Sequence, residues 1–274
     1  MALSSVTIGG TAHLLTGGKV VIDGTAYSLE APGSKRHSGD VAIDGTYHYI
    51  YLPPWDIIQL GKAVSKKVFA GRNASTAAAV TLTLPSADTY FVFSICNGHC
   101  GIYKVVYDGT TSTKTTVIRS DASANIHCSG ATIKASNSDT STGTNRYGAT
   151  LAAFTFNAPP DLVTATFQKY TLTKLAGRNS STASTVRCTR DSLYPSTGSW
   201  WILAAGEYIF IQTVVSVSDK TYTDGICWNA PSAIRNTMYR SVTSSGVTYA
   251  YLTLDATTNA SVYGGSMIIA TANS

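Results

Sequence analysis

The residues best suited to bind a metal lie in one short stretch, CNGHC at 96–100, and in a later His-Cys pair. Thiolates and an imidazole can hold zinc tetrahedrally, which makes Cys96, Cys100, His127 and Cys128 candidate ligands. A disulfide among the three cysteines is a second interpretation, and reduced buried thiols are a third. The sequence favours reduced thiols, because the chain has five cysteines and the remaining two do not repeat this cluster. We therefore expect no metal and no cofactor.

Acid–base and nucleophilic catalysis have little support in the sequence. The chain has only two glutamates, Glu30 and Glu207, and a paired-carboxylate site would have to bring them together across most of its length. Four of the thirteen aspartates stand in Asp-Gly pairs, where turn formation explains them. The Gly-x-Ser-x-Gly motif of many serine hydrolases does not occur. We expect no catalytic residues and no enzymatic activity.

One octapeptide occurs twice, as AGRNASTA at 70–77 and as AGRNSSTA at 176–183. Seven of the eight positions agree at an offset of 106 residues, and the same offset relates the Pro-Pro pair at 53–54 to that at 159–160. A repeat at a fixed period indicates a duplicated module. It predicts a head at 1–52, a first module at 53–158 and a second module at 159–274.

The repeated Ala-Gly-Arg-Asn has two interpretations. Arg72 and Arg178 are candidate contacts to another subunit or to a receptor. The interpretation we favour is structural: glycine allows an unusual backbone angle, asparagine enters a turn, and arginine pairs with backbone carbonyls or a neighbouring subunit. We expect a bend at this motif.

Both modules consist of short runs rich in Val, Ile, Thr and Tyr, separated by turn residues. Runs of this kind every 8–15 residues or so are typical of strands in sandwiches. No 11-residue window has the periodicity of an amphipathic helix. The sequence therefore predicts an all-β protein with two tandem β-sandwich domains of jelly-roll or immunoglobulin-like type.

Three of the four tryptophans lie in the second module. Trp200 and Trp201 are adjacent, and neighbouring residues of a strand point to opposite faces of the sheet. One of the two must leave the core of its own module, to meet another chain, the first module or a ligand. Trp200, Trp201 and Trp228 are thus candidate contacts to a subunit or receptor, and exposed Tyr and Trp of this module would suit a host surface glycan.

Composition excludes several classes of partner. Charged residues make up 13% of the chain and its formal net charge is +5, but no basic run exceeds two residues. The short basic runs give no support to nucleic-acid binding. Insertion into a membrane is not supported either, since no apolar stretch approaches the roughly 18–20 residues of a spanning helix. The first residues lack the features of a signal peptide, so release by lysis or another route is expected if the protein leaves a cell.

The head contains three similar units, each with an apolar β-branched run, a Gly-Gly or Asp-Gly pair and a second alternating run. Such pairs favour the two-residue turns of tight hairpins, and single hairpins are marginally stable in water. We expect the head to be a docking segment that needs a partner surface. The candidate docking residues are Ile8, Ile22, Tyr27, Ile43, Tyr47 and Tyr49.

The segment GGKVVIDGTAYSL at 17–29 resembles the repeated Gly-Gly-Lys-x-x-x-x-Gly-Thr-x-Tyr-x-Ile segments that open minor structural proteins of tailed bacteriophages and prophages. The resemblance covers about 50 of the 274 residues. It implies a virion component on the tail or baseplate or decorating the capsid, assembled in the bacterial host cytoplasm. The implied partners are other virion proteins and further copies of the chain, with a receptor- or carbohydrate-binding adhesion module as the alternative.

Overall fold

The computed structural model of the chain describes residues 54–229, 238–254 and 261–273, except the side chains of Cys227 and Trp228. It also gives the backbone of six four-residue strands before residue 50. These strands are β1 (Ser5–Ile8), β2 (Thr11–Leu14), β3 (Lys19–Ile22), β4 (Thr25–Ser28), β5 (Asp40–Ile43) and β6 (Thr46–Tyr49).

The six strands pair antiparallel as β1 with β2, β3 with β4 and β5 with β6. In each pair the two strands are two residues apart in the sequence. The side chains of the six candidate docking residues lie outside the described residues.

The first unit contains one short helix and eight strands, divided into a five-stranded and a three-stranded sheet. The five-stranded sheet has the order β11-β10-β9-β14-β7 and the three-stranded sheet the order β12-β13-β8. The elements are α1 (Ile57–Lys62), β7 (Val64–Ala79), β8 (Thr81–Thr83), β9 (Asp88–Cys96), β10 (His99–Tyr107), β11 (Ser112–Arg119), β12 (Asn125–Ser129), β13 (Thr132–Ser136) and β14 (Asn145–Phe156).

The second unit also has a short helix followed by eight strands. Its sheets have the orders β19-β18-β17-β22-β15 and β20-β21-β16, so every strand occupies the place of its counterpart in the first unit. The elements are α2 (Pro160–Gln168), β15 (Tyr170–Ser184), β16 (Val186–Thr189), a 3-10 turn (Arg190–Leu193), β17 (Trp200–Ala205), β18 (Tyr208–Ser216), β19 (Thr221–Asn229), β20 (Tyr239–Ser244), β21 (Val247–Leu252) and β22 (Val262–Ala272).

The chain is all-β apart from these short helical segments, and its antiparallel sheets are arranged as β-sandwiches. The five-and-three division of eight strands differs from the four-and-three division of seven strands in an immunoglobulin constant domain. In each unit the last strand returns to the larger sheet and lies between the first and third strands of the unit, next to the strand that carries the repeated octapeptide.

Both helices begin at or close to the repeated prolines, where the sequence predicts joints between domains: α1 starts three residues after Pro54 and α2 starts at Pro160. Asp56 caps α1 through its carboxylate, which accepts the N–H of Gln59 (2.6 Å), while the Gln59 side chain accepts the N–H of Asp56 (3.0 Å). In α2, Pro160 occupies the first helical position, where its fixed φ is favourable and its missing N–H costs nothing. Helices of 6 and 9 residues are shorter than the window needed to detect amphipathic periodicity.

In the described part of the chain, three apolar clusters separate four layers of sheet. One cluster lies between the two sheets of the first unit, and an equivalent one lies between the two sheets of the second. Among the described residues the largest cluster contains buried side chains from both five-stranded sheets and both helices. The two larger sheets therefore face each other, and the three-stranded sheets form the outer layers.

Candidate functional site: the contact between the two units

Asn73, from the first copy of the octapeptide, binds the backbone of the second unit. Its side-chain oxygen accepts the N–H groups of Tyr263 (2.7 Å) and Gly264 (3.1 Å) on β22. A carbonyl-type oxygen has two lone pairs, so one amide satisfies two successive backbone donors. These bonds join residues 190 and 191 positions apart in the sequence.

Asn179, from the second copy, makes the same contact in the opposite direction. Its side-chain oxygen accepts the N–H groups of Tyr147 (2.8 Å) and Gly148 (3.1 Å) on β14 of the first unit. The two copies thus exchange equivalent hydrogen bonds across an approximate twofold axis.

A local irregularity in each strand follows the asparagine. In the pairing of β7 with β14 the register passes from Asn73 opposite Gly148 to Ala78 opposite Arg146, so four residues of β7 have no partner across the ladder. Arg72 stabilises this unpaired segment. Its Nε donates to the carbonyl of Thr76 (2.9 Å) and its Nη2 to the hydroxyl of Thr76 (2.7 Å).

Arg178 contacts the backbone carbonyl of Thr182 in the same way, and the strand register there passes from Asn179 to Ser184. The structure thus places a bend where the sequence predicts one, with each arginine bonded inside its own strand. Neither Gly71 nor Gly177 has a positive φ, so an unusual backbone angle does not account for these glycines.

Gly71 and Gly177 must be glycine because the backbone at each lies very close to a turn of the opposite unit. A Cβ added to Gly71 would lie 1.9 Å from the carbonyl oxygen of Gly206, in the turn between β17 and β18. A Cβ added to Gly177 would lie 2.0 Å from the carbonyl carbon of Asn97, in the equivalent turn of the first unit. Any other residue at either glycine would push the two units apart.

Hydrogen bonds join the same two turns to the opposite unit. The hydroxyl of Thr150 on β14 donates to the carbonyl of Gly206 (2.6 Å). In the reciprocal position the N–H of Gly98 donates to the hydroxyl of Ser266 on β22 (2.9 Å). Both hydroxyls are buried, so removing either would leave a buried polar group unpaired.

The strands β14 and β22 approach most closely at Gly148 and Gly264. A Cβ built on Gly148 would be 2.2 Å from the Cα of Gly264, and the reverse distance is 2.1 Å. These two glycines are also the ones whose N–H groups bond to the two asparagines. Backbone contact and side-chain hydrogen bonds therefore coincide at the centre of the contact.

Each helix packs against the other unit as well as its own. Gly61 of α1 lies so close to β19 that an added Cβ would be 1.8 Å from the carbonyl oxygen of Gly225. Phe167 of α2 is fully buried against Phe91 and Phe93 of the first unit, with ring centroids 5.9 and 5.6 Å away, and against Trp200 of the second at 6.3 Å.

Trp200 and Trp201 point to opposite faces, as the sequence predicts. Trp200 belongs to the cluster between the units and Trp201 to the core of the second sandwich. Both side chains are 0% exposed, so neither forms the exposed receptor or glycan platform that the sequence analysis considers. The side chain of Trp228, the third candidate, lies outside the described residues.

The candidate metal ligands do not come together. Cys96 faces the core of the first sandwich, where its thiol donates to the carbonyl of Gly148 (3.3 Å), while Cys100 faces the contact between units. A whole sheet separates the two thiols, because β9 and β10 are neighbours in one sheet. His127 and Cys128 lie on β12 in the outer sheet. No group of three His, Cys, Asp or Glu suited to a metal occurs among the described residues.

The four cysteines with described side chains are free thiols in buried or half-buried positions. Burial disfavours the thiolate and raises the pKa of Cys128 to about 11 and that of Cys188 to about 12. It also raises the pKa of the Cys96 and Cys100 thiols. Thiols of this kind are poor nucleophiles at neutral pH.

Within the described part of the chain, no helix is long and apolar enough to cross a membrane. Comparisons with known protein families, curated proteins and solved structures find no match to the chain.

In the sequence, the repeated octapeptide marks the side of the contact that carries the asparagines, whereas the strands that they bind carry a weaker signal. The partner strands carry a second, shorter repeat, Tyr147-Gly148 in β14 and Tyr263-Gly264 in β22, followed two residues later by a hydroxyl residue in each. Its offset is 116 residues rather than 106, so a search at one fixed period does not find it.

Proposed function

We propose that the chain is a non-enzymatic structural component of a bacteriophage virion, docked through residues 1–52 and carrying its two sandwich units outward from a tail, baseplate or capsid surface. The observation that carries this proposal is the Gly-Gly-Lys…Gly-Thr-x-Tyr pattern of the head, which resembles phage structural proteins. Its partners would be other virion proteins and further copies of the chain, assembled in the cytoplasm of the bacterial host.

The short strand pairs of the head support a docking role. Each pair consists of two four-residue strands. An isolated two-stranded hairpin is marginally stable in water, and three or more strands on an apolar surface are needed for stability. A larger protein surface would supply what these pairs lack.

The two units suit a displayed body because they fasten to each other. Their largest described apolar cluster lies between them, and six of the seven phenylalanines belong to it or pack against it. A rigid double sandwich with most of its phenylalanines turned inward can stand exposed on a particle without large apolar patches.

We further infer that the two units arose by duplication of one module. Identical strand orders, a short helix before each unit and the repeated octapeptide support this inference. The reciprocal asparagine contacts suggest that the original module formed a homodimer through the same face, later joined in one chain.

Co-purification tests the proposed function. Particles of the phage that encodes the chain are purified through a density gradient, and the protein is quantified by mass spectrometry in each fraction. The proposal predicts that the protein follows the major capsid and tail proteins at a constant ratio through a second gradient in high salt. Recovery only in the soluble fractions would contradict it.

A further inference from the structure

The outer sheet of the second unit has a chemically distinctive face. Its strands β16, β20 and β21 are side by side, and alternate residues point away from the core. On the side opposite the core the exposed Arg187 and Arg240 flank Tyr251 in one row, and the half-buried Tyr249 belongs to the next row. Tyr251 itself is only 7% exposed, so the contact surface of the face is formed mainly by the two arginines and Tyr249. We call these four residues the Tyr/Arg face.

Arg187 is held in a fixed position on this face. Its guanidinium carbon is 4.7 Å from the ring centroid of Tyr249 and 5.8 Å from that of Tyr251. Nη1 donates to the Tyr251 hydroxyl (2.9 Å). Two rings and one hydrogen bond orient the planar fork, a geometry that suits a bidentate contact with a carboxylate.

The charge of the face has one sign. The three strands contain two arginines and neither Asp nor Glu. The nearby carboxylate of Asp191 is paired with Lys220 at 3.2 Å. A ligand with negative charge therefore complements these three strands.

The dimensions favour a glycan over a protein. Three neighbouring strands span only about 10 Å between the outer backbones. A stable protein interface needs about 800 Å² from each partner, far more than two short rows of side chains provide. Two or three sugar rings fit this width, and their C–H faces and hydroxyls suit tyrosine rings and the neighbouring threonine and serine hydroxyls.

Nucleic acid fits less well. Binding along a phosphate backbone depends on many cationic contacts, and this face offers two. The outer sheet of the first unit has a different surface. Its strands β8, β12 and β13 carry no tyrosine and no arginine.

We propose that the Tyr/Arg face of the second unit binds an acidic polysaccharide, with Arg187 holding a sugar carboxylate and Tyr249 contacting the adjoining ring. This binding is a property of the chain itself and does not depend on attachment to a particle. It transfers the glycan-binding role from the buried Trp200 and Trp201 to residues on the outer sheet.

Affinity electrophoresis of the full-length protein in gels containing polygalacturonate tests the proposal, with uncharged dextran and a single-stranded oligonucleotide as comparisons. We expect retardation by polygalacturonate alone. Arg187→Ala should weaken it at least about tenfold, the loss expected for a charge-assisted bidentate contact. Arg187→Lys keeps the charge but not the planar fork, so its affinity for polygalacturonate should lie between that of the unmodified protein and that of Arg187→Ala.

Lys134→Ala provides the matched control, since Lys134 lies on β13, in the equivalent outer sheet of the first unit. It removes one positive charge and should leave binding unchanged. Equal loss in Lys134→Ala and Arg187→Ala would overturn the proposal, as would retardation by dextran or by the oligonucleotide alone, or no retardation at all. Circular dichroism of each variant establishes that it is folded.

Discussion

Two asparagine side chains perform the same task from opposite sides of the contact. An amide oxygen accepts two N–H groups without bringing a negative charge into a half-buried place, which an aspartate would do. Because each asparagine binds the other unit, its contribution depends on the two units being together. Asn73 and Asn179 therefore couple the stability of one sandwich to that of the other.

Replacing either asparagine should destabilise the whole protein. Asn73→Ala leaves the N–H groups of Tyr263 and Gly264 without their acceptor, and we expect the free energy of unfolding to fall by about 1–3 kcal/mol. Asn179→Ala should cost a similar amount. Urea denaturation followed by circular dichroism measures both.

Asn73→Asp is the matched control, because it retains an oxygen at the same position and should recover most of the lost stability. Arg72→Ala removes hydrogen bonds that stay within the strand and are exposed to solvent, so it should cost less. An Asn73→Ala variant as stable as the unmodified protein would contradict the role assigned to this side chain.

Alkaline pH should destabilise the protein through its buried thiols. Burial raises the pKa of Cys128 to about 11 and of Cys188 to about 12, above the ordinary thiol value of 9.0. The unfolded chain therefore loses these protons at a lower pH than the folded chain. The stabilising contribution is complete below about pH 9 and is lost as the pH rises through the folded-state values.

Urea titrations at pH 8 and pH 10 measure this effect. The free energy of unfolding should be lower at pH 10, and Cys188→Ala should reduce the difference between the two pH values. Buried tyrosines contribute in the same direction, since burial raises the pKa of Tyr103 and Tyr170 to about 12. Equal stability at both pH values would contradict the account.

The sequence predicts which residues matter here better than it predicts what they do. Exact repetition marks Arg72 and Asn73 and their copies as special, and a local bend follows from their chemistry. The partners of the asparagines are backbone N–H groups far along the chain. Backbone groups leave no trace in residue type, so only the tertiary structure reveals this contact.

At the scale of elements, the larger sheets differ from ordinary sandwich sheets because both their faces are covered. In β9 and β17 alternate residues belong to different apolar clusters, and both strands are almost continuously apolar. A sheet with one solvent-exposed face would show polar residues at every second position of its strands. The uninterrupted runs at 90–93 and 200–205 are the sequence signal for a second covered face.

Phe167 tests the claim that α2 joins the two units. Phe167→Ala removes a fully buried ring that lies among residues of both sheets, and the expected loss is about 3–5 kcal/mol. Amide hydrogen exchange should accelerate in β9 of the first unit as well as in β17 of the second.

Phe210→Ala is the matched control, since Phe210 belongs to the core of the second sandwich alone. Its effect on exchange should be strongest in the second unit. If Phe167→Ala changed exchange only within residues 159–274, the helix would not be a link between the units.

At the scale of the whole molecule, the sequence correctly predicts an all-β protein with sandwich architecture, because turn residues and β-branched runs are local signals. It does not predict that the two sandwiches share their largest described core. That arrangement depends on which faces of two sheets match in shape, a property spread over residues such as Phe93, Phe154, Trp200 and Ile268 that are far apart in the chain.

The proposed function rests on the head, residues 1–52, and on its proposed attachment to a virus particle. The double sandwich contains its own apolar clusters, so residues 53–274 should fold without the head. Attachment and folding can therefore be separated in one experiment.

That experiment supplies phage particles that lack the protein with either the full chain or residues 53–274, and then counts bound copies by quantitative mass spectrometry and electron cryo-microscopy. Full-length Arg72→Ala serves as a control that should still attach. We predict that the full chain binds at a fixed number per particle, whereas the truncated chain is folded but remains in solution. Binding of the truncated chain in the same number would contradict the docking role of the head.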